Sequence, residues 1–275
     1  MKTKPSKELD SKIISLYLSG KNTYETASEC NCSQTFVINT LKKHNIARRT
    51  TYNYTTKYIT NENFFKIIDS EEKAYFLGLL YADGNNYVYK NNYEISIKLQ
   101  EQDKIILEKF RDLICPLAPI KLIKDKSTTN LHYLLKINSK MLSSQLTNLG
   151  CMPCKSLILT WPEYLDNKLQ SHFLRGYFDG DGSLYSKKPN KTNYVNYGWQ
   201  ITSTDKFCLK VKEIIESKLL IHCSKSLSCP KTNQITTTLS IGGNKQVLKI
   251  LNWLYKDATI YLPRKYNKYI EFTLI

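Results

Sequence analysis

The sequence predicts an α+β protein, with two αββαββα-type repeats over residues 69–275 behind a small all-α unit over residues 1–50. Three observations predict it. AYFLGLLYADGNN at 74–86 matches HFLRGYFDGDGSL at 172–184 without gaps, placing Asp83 and Asp181 at equivalent positions 98 residues apart; such self-similarity is sought before any fold is assigned. Behind each copy comes an alternating strand and then a helix, EISIKLQEQDKIILEKFRDLI in one and YGWQITSTDKFCLKVKEIIESKL in the other, followed by a further strand and helix. The first fifty residues instead read as helix, short helix, turn and capped helix.

Bulk properties narrow the class. The chain has 275 residues, 41% of them hydrophobic, enough for a substantial core. It has no apolar run long enough to span a bilayer, and MKTKPSKELDSK lacks the apolar stretch of a secretory leader. The expectation is an intracellular protein, in cytoplasm or nucleoid, neither secreted nor in a membrane. Its 40 Lys+Arg against 24 Asp+Glu give +16, spread as +6 over residues 1–60 and +10 over the rest. A polyanion is the natural partner, because phosphates neutralised by cations release their condensed counterions. The eight cysteines read as reduced thiols in such a compartment. Cys151-x-x-Cys154 and His222-Cys223 with Cys229 lack the second regular pair of a zinc site.

In the N-terminal unit, Ile13, Ile14, Tyr17 and Leu18 fall at helical spacing and Gly20 ends the run. Residues 23–28 make a short helix, Asn31 and Cys32 a turn, and Ser33 caps a third helix over 34–43 with Val37 and Leu41 inward. The stretch ETASECNCSQTFVINTLKKHNIARRT resembles the helix-turn-helix of resolvases and transposases. The start of the last helix then enters the major groove. Ser33, Gln34, Thr35 and Asn39 would face base edges, and Lys42, Arg48 and Arg49 would meet phosphate. The alternative is a small bundle docked on the rest of the chain. Residues 51–68, rich in Thr, Asn and Tyr, read as a tether.

The repeats divide as 69–160 and 161–275. Asp69 with Glu72, and Asn167 with Gln170, offer capping boxes to the two motif helices. The strands alternate, so each has one buried and one exposed face. Ile95, Ile97 and Leu99 oppose Glu94, Ser96, Lys98 and Gln100, while Ile235, Thr237, Leu239 and Ile241 oppose Gln234, Thr236, Thr238 and Ser240. Side chains such as Lys98, Gln234, Thr236 and Thr238 are able to read base edges in a major groove.

Small residues four apart, Gly78 with Ala82 and Gly176 with Gly180, let two backbones approach closely. If the motif helices pair, Asp83 and Asp181 sit together at two negative helix ends, each before a glycine suited to a left-handed C-cap. Two carboxylates there repel unless a cation lies between them. Hard oxygen ligands suit Mg²⁺ or another divalent ion such as Mn²⁺, and such a site in a basic protein suggests phosphodiester hydrolysis.

FLGLLYADG and LRGYFDGDG resemble the motif of LAGLIDADG homing endonucleases, and the likeness extends over about 200 residues with the downstream strands and helices. The resemblance implies a monomer of pseudo-two-fold symmetry with two saddle-shaped antiparallel sheets on double-stranded DNA and a staggered double-strand cut. It implies that Asp83 and Asp181 are the catalytic acids, with the Ala82 and Gly180 carbonyls helping to hold metal. It places a lysine near each scissile phosphate, matched here by Lys155 and Lys265, and a polar pair matched by Gln100 and Lys104. The other repeat keeps Lys206 and has Thr202 for the glutamine. The motif's earlier acidic position is Tyr81 in one copy and Asp179 in the other, which makes the halves chemically unequal. Two rival readings are a maturase on intron RNA and a non-cleaving DNA-binding transcription regulator; both acids are present, which favours cleavage.

Overall fold

The computed structural model describes residues 6–48, 58–124, 130–187, 195–228 and 235–274. Arg49, Gln234, Cys229 and residues 51–57 of the expected tether lie outside them.

Helices α1 (Lys7–Leu18), α2 (Thr23–Glu29) and α3 (Gln34–Lys43) enclose a small core of Ile13, Tyr17, Ala27, Val37 and Leu41. Asn22 and Glu25 form a capping box at α2, and Ser33 accepts the Phe36 N–H at 3.2 Å to start α3. The turn between them carries Asn31 at φ 48°, a left-handed conformation that Asn tolerates. Residues 58–68 pack on the second core: Phe64 and Phe65 are buried there, and Asn61 N–H donates to Ile114 O at 2.7 Å. The expected tether is therefore shorter than 51–68, since two adjacent phenylalanines gain by burial whatever the polarity of the chain before them.

The first repeat comprises α4 (Glu71–Ala82), β1 (Gly84–Tyr89), β2 (Asn92–Gln100), α5 (Lys104–Ile114), β3 (Ile120–Lys124), β4 (Leu131–Asn138) and α6 (Lys140–Asn148). The second comprises α7 (Gln170–Asp181), β5 (Ser183–Lys187), β6 (Asn196–Ser203), α8 (Asp205–Leu219), β7 (Ser224–Ser228), β8 (Thr236–Gly242) and α9 (Asn244–Tyr255). Both are αββαββα. The sheets are antiparallel and ordered alike, β1-β2-β4-β3 and β5-β6-β8-β7. The halves differ beyond their last shared helix: the first has a single 3₁₀ turn at Lys155–Leu157, the second an eleven-residue helix α10 (Pro263–Thr273).

Helices α4 and α7 pair along the centre. Every residue of α4 from Ala74 to Tyr81 is buried, as expected of a helix that is apolar all round. A Cβ on Gly78 would overlap the Phe173 carbonyl, and one on Gly176 the Tyr75 carbonyl. These glycines thus set the helix spacing.

Local details correct four expectations. The cap of α4 is Ser70, which accepts from Lys73 N–H at 3.4 Å, while Asp69 is bound by the Lys73 ammonium at 2.7 Å. No side chain caps α7: Leu169 holds the position, and Asn167 lies two residues outside it. Neither Gly84 nor Gly182 is left-handed; Gly182 is extended at φ −78°, ψ 161°. Their lack of a side chain serves space instead, because a Cβ at Gly84 would lie 2.6 Å from the Leu80 carbonyl oxygen and one at Gly182 would enter the Phe178 ring. Ile235 is 64% exposed, since β8 begins only at Thr236 and the inward alternation starts at Thr237.

Candidate active site

Each motif helix passes from its last turn straight into a strand, so Asp83 and Asp181 stand where two helices end side by side. A Cβ placed on Gly180 would lie 2.9 Å from the Asp83 Oδ2, so that carboxylate lies against the other helix. Burial, and then the negative charge of Asp181, push the Asp83 carboxyl up to about 6. Asp181 is raised too, by loss of surrounding water, with Lys155 and Lys265 pulling the other way.

The two lysines enter from equivalent directions. Lys155 is 7% exposed and donates from Nζ to Gly84 O at 2.5 Å. Lys265 is 5% exposed and donates to Gly182 O at 2.6 Å and to Phe178 O. Burial lowers the Lys265 ammonium to about 8, against the opposing pull of Asp179. A buried lysine is rare unless a partner holds it; here the partner is the carbonyl of the glycine after each aspartate.

What seats the lysines differs between the halves. Asp179 is fully buried and accepts from Tyr75 OH at 2.8 Å, Tyr255 OH at 2.5 Å and Leu262 N–H at 2.7 Å. The last of these fixes the chain one residue before Pro263, the first residue of α10, and Lys265 follows in its first turn. In the first half Tyr81 stands at the equivalent place and donates to Leu149 O, which also accepts from Tyr164 OH at 2.8 Å. A Cβ on Gly150 would overlap that Tyr81 hydroxyl. The motif's earlier position is therefore an anchor for the segment that leads to the lysine, by accepting in one half and by donating in the other.

A divalent ion fits the donors present. A half-buried carboxylate, Asp83, and an exposed one, Asp181, stand at the paired helix ends with raised pKa, and the last carbonyls of a helix, here those of Ala82 and Gly180, lack intrahelical donors. Among the described residues no group of three or more His, Cys, Asp or Glu could hold a metal, so two carboxylates, main-chain oxygens and water would have to suffice, a set suited to Mg²⁺.

The other site residues do not join this cluster. Gln100 ends β2, where it pairs with His132, about 10 Å along the strand from the Gly84–Ile97 pair. Lys104 turns to Glu108 at 3.0 Å and lies over the Tyr133 ring. Lys206 is exposed near the start of α8, and Thr202 shares a 2.9 Å hydroxyl contact with Thr238. Lys98, Thr236 and Thr238 lie on the outward sheet faces. In the N-terminal unit Ser33, Gln34, Thr35, Asn39, Lys42 and Arg48 are exposed, with Gln34 Nε2 donating to Thr23 Oγ1 at 2.9 Å.

Sequence reasoning missed two residues. Arg264, next to Lys265, adds positive charge near Asp83 and bonds the buried Asp103 of the other repeat at 2.9 Å. Arg175, inside the second motif, is buried and bonds Glu71 at 2.6 Å, Leu254 O at 2.7 Å and Ile260 O at 2.9 Å. The signal was an arginine between Leu174 and Gly176 in the helix-packing stretch of the motif, which needs a buried partner.

The chain has the two-repeat fold of LAGLIDADG homing endonucleases. It aligns with I-GzeII, a LAGLIDADG homing endonuclease in complex with a DNA target, at a TM-score of 0.51 and 13% identity over 73% of this chain and 88% of that one. It aligns with the homing endonuclease I-WcaI bound to its DNA recognition sequence at a TM-score of 0.52 and 14% identity over 76% and 91%. No family model and no curated protein matches the sequence. Among the described residues no helix is long and apolar enough to cross a membrane.

Proposed function

We propose that the chain is a site-specific DNA endonuclease of the homing type, acting as a monomer and making a staggered double-strand cut with Mg²⁺ or a similar divalent ion. One observation carries the reading: two carboxylates meet at paired helix ends, each with a buried lysine held on the carbonyl of the following glycine. A fold alone does not assign an activity; this cluster supplies the chemistry the fold leaves open.

Asp83 and Asp181 would hold the metal, with the Ala82 and Gly180 carbonyls beside them. When bound, such an ion makes a water nucleophilic at neutral pH and stabilises the leaving oxygen. Lys155 and Lys265 offset phosphate charge as the backbone crosses the paired ends. Lys265, poised at about 8, is able to hold or release a proton at Nζ near neutral pH. The outward faces of the sheets meet the duplex on either side. The N-terminal unit adds a second DNA contact, and tethering it raises its effective concentration at the site.

The test is incubation of the protein with duplex carrying the gene's own flanks, rejoined as if the gene were absent, in Mg²⁺ and in EDTA. Wild type should cut both strands in Mg²⁺ only, and Asp83→Asn should not. Tight binding with no cut in either condition would replace this reading with a regulator of duplex DNA.

A further inference from the structure

The two sheets repeat in topology but not in the chemistry of their outward faces. In the first sheet, Lys98 of β2, Leu134 of β4 and Lys121 of β3 lie in one register row, and Lys136 of β4 sits opposite Ser96. Lys98, Lys121 and Lys136 are exposed, and Glu94 on the same face binds Lys136 at 2.8 Å. Three exposed lysines and one glutamate make this the more lysine-rich of the two faces among the described residues.

The second sheet has a different lining. Gln200 of β6 pairs with Ser240 of β8, Thr202 with Thr238, and Thr238 in turn with Ser226 of β7. Trp199, Ile201, Leu239 and Ile241 between them point into the core, so these polar residues point out. Gln200, Thr202, Ser226, Thr238 and Ser240 carry no charge, and by register one lysine, Lys187 opposite Asn196 at the end of β5, falls in the outward rows. Lys225, the one lysine described on β7, pairs at 2.9 Å with Asp205 at the start of α8, on the core side of the sheet.

We infer that the two halves of the DNA surface recognise duplex by different means. The first sheet binds through lysine, and the second reads base edges through short hydroxyls and the Gln200 amide. This inference rests on the reading of the chain as a DNA-binding protein. Lysine on phosphate gives affinity that salt weakens and that ignores sequence. Glutamine reads adenine through two hydrogen bonds, threonine offers its methyl to thymine, and hydroxyls accept or donate at either. A face lined mainly by uncharged groups has less affinity of its own than a lysine-rich one; it discriminates once another surface has brought the duplex near. The preferred DNA should therefore have one half-site specified more sharply than the other, with adenine and thymine prominent in the sharp half.

The experiment is selection of bound duplexes from a randomised library in EDTA, followed by salt titration of the best binder. Three proteins are compared: wild type, Lys98→Ala with Lys121→Ala, and Thr202→Val with Thr238→Val. Valine keeps strand propensity and shape while removing the hydroxyl, and thermal melts establish that each protein is folded; Gln200→Ala is an independent probe of the same face. The lysine pair should keep the selected sequence, weaken binding, and reduce the slope of log K against log salt by about two. The threonine pair and Gln200→Ala should keep the slope and lose preference at neighbouring positions of one half-site. Loss of preference in both halves alike, or a slope that falls in the threonine pair and not in the lysine pair, would overturn the inference while leaving DNA binding in place. No enrichment by wild type would overturn the DNA reading itself.

Discussion

On the proposed reading, Asp83 is the residue at which ionisation and metal binding would compete. Its carboxyl sits at about 6 because charging it costs water on one side and meets Asp181 on the other. A carboxyl raised on folding favours the native state below its ordinary range and loses that contribution as pH rises through about 6. A divalent ion reverses the sign, because it takes only the charged form. Mg²⁺ should therefore raise the melting temperature clearly at pH 7.5 and hardly at pH 5, a comparison open to differential scanning fluorimetry. Asp181→Asn should leave DNA affinity within a few-fold of wild type and reduce cleavage by about a hundredfold or more. Undiminished cutting by that variant would dismiss Asp181 as a ligand. Both aspartates were legible in the sequence, because a carboxylate at the negative end of an apolar helix has no structural reward. The burial of Lys155 and Lys265 was not legible, since a lysine's default is solvent and only the tertiary fold supplies the carbonyls of Gly84 and Gly182.

At the scale of the element, α4 and α7 act as one unit whose spacing is set by Gly78 and Gly176. Either glycine changed to alanine should cost about 1–3 kcal/mol through overpacking, because the obstacle is the facing backbone and not a mobile side chain. The melting temperature of the core should fall by several degrees, and an unchanged melt would show that the helices separate freely. The small-residue spacing made this pairing readable in advance. The helix starts were less readable: Asp69 and Ser70 are both good caps in adjacent positions, and only the backbone decides that Ser70 faces the free N–H groups. The alternation of β8 was read one residue too early at Ile235, because its end lies where the outer strand pair begins and no sequence signal marks that point.

Across the whole molecule, the N-terminal helices have their own core and the repeats share another. Removing residues 1–50 should weaken binding to the preferred duplex by tenfold or more while the remaining protein still cuts at high concentration, as gel shift and cleavage assays would show. A folded but inactive remainder would make the N-terminal unit part of the cutting machinery. On the proposed reading, the inequality of the halves should have a kinetic counterpart. Lys265 has two carbonyl partners and an aspartate-anchored helix behind it, whereas Lys155 has one carbonyl and a 3₁₀ turn. Supercoiled plasmid should pass through a nicked form during cleavage, and strand-specific labels should identify one strand as the faster; equal rates would make the anchoring difference irrelevant to chemistry.

The pairs that cross between α4 and α7 are not symmetric. Tyr75 donates to Asp179, whereas the equivalent contact in the other direction sets Phe173 edge-on against Tyr81. Glu71 meets Arg175, but the residues at the matching places are Leu169 and Leu77. If the two halves descend from one duplicated segment, that ancestor paired with a copy of itself, and two copies of either present half would lose these crossing pairs. Two copies of the second half would bury Asp179 against Phe173 and Arg175 against Leu169; two of the first would leave Glu71 facing Leu77. At these crossing positions each half is therefore fitted to the other half and not to a second copy of itself.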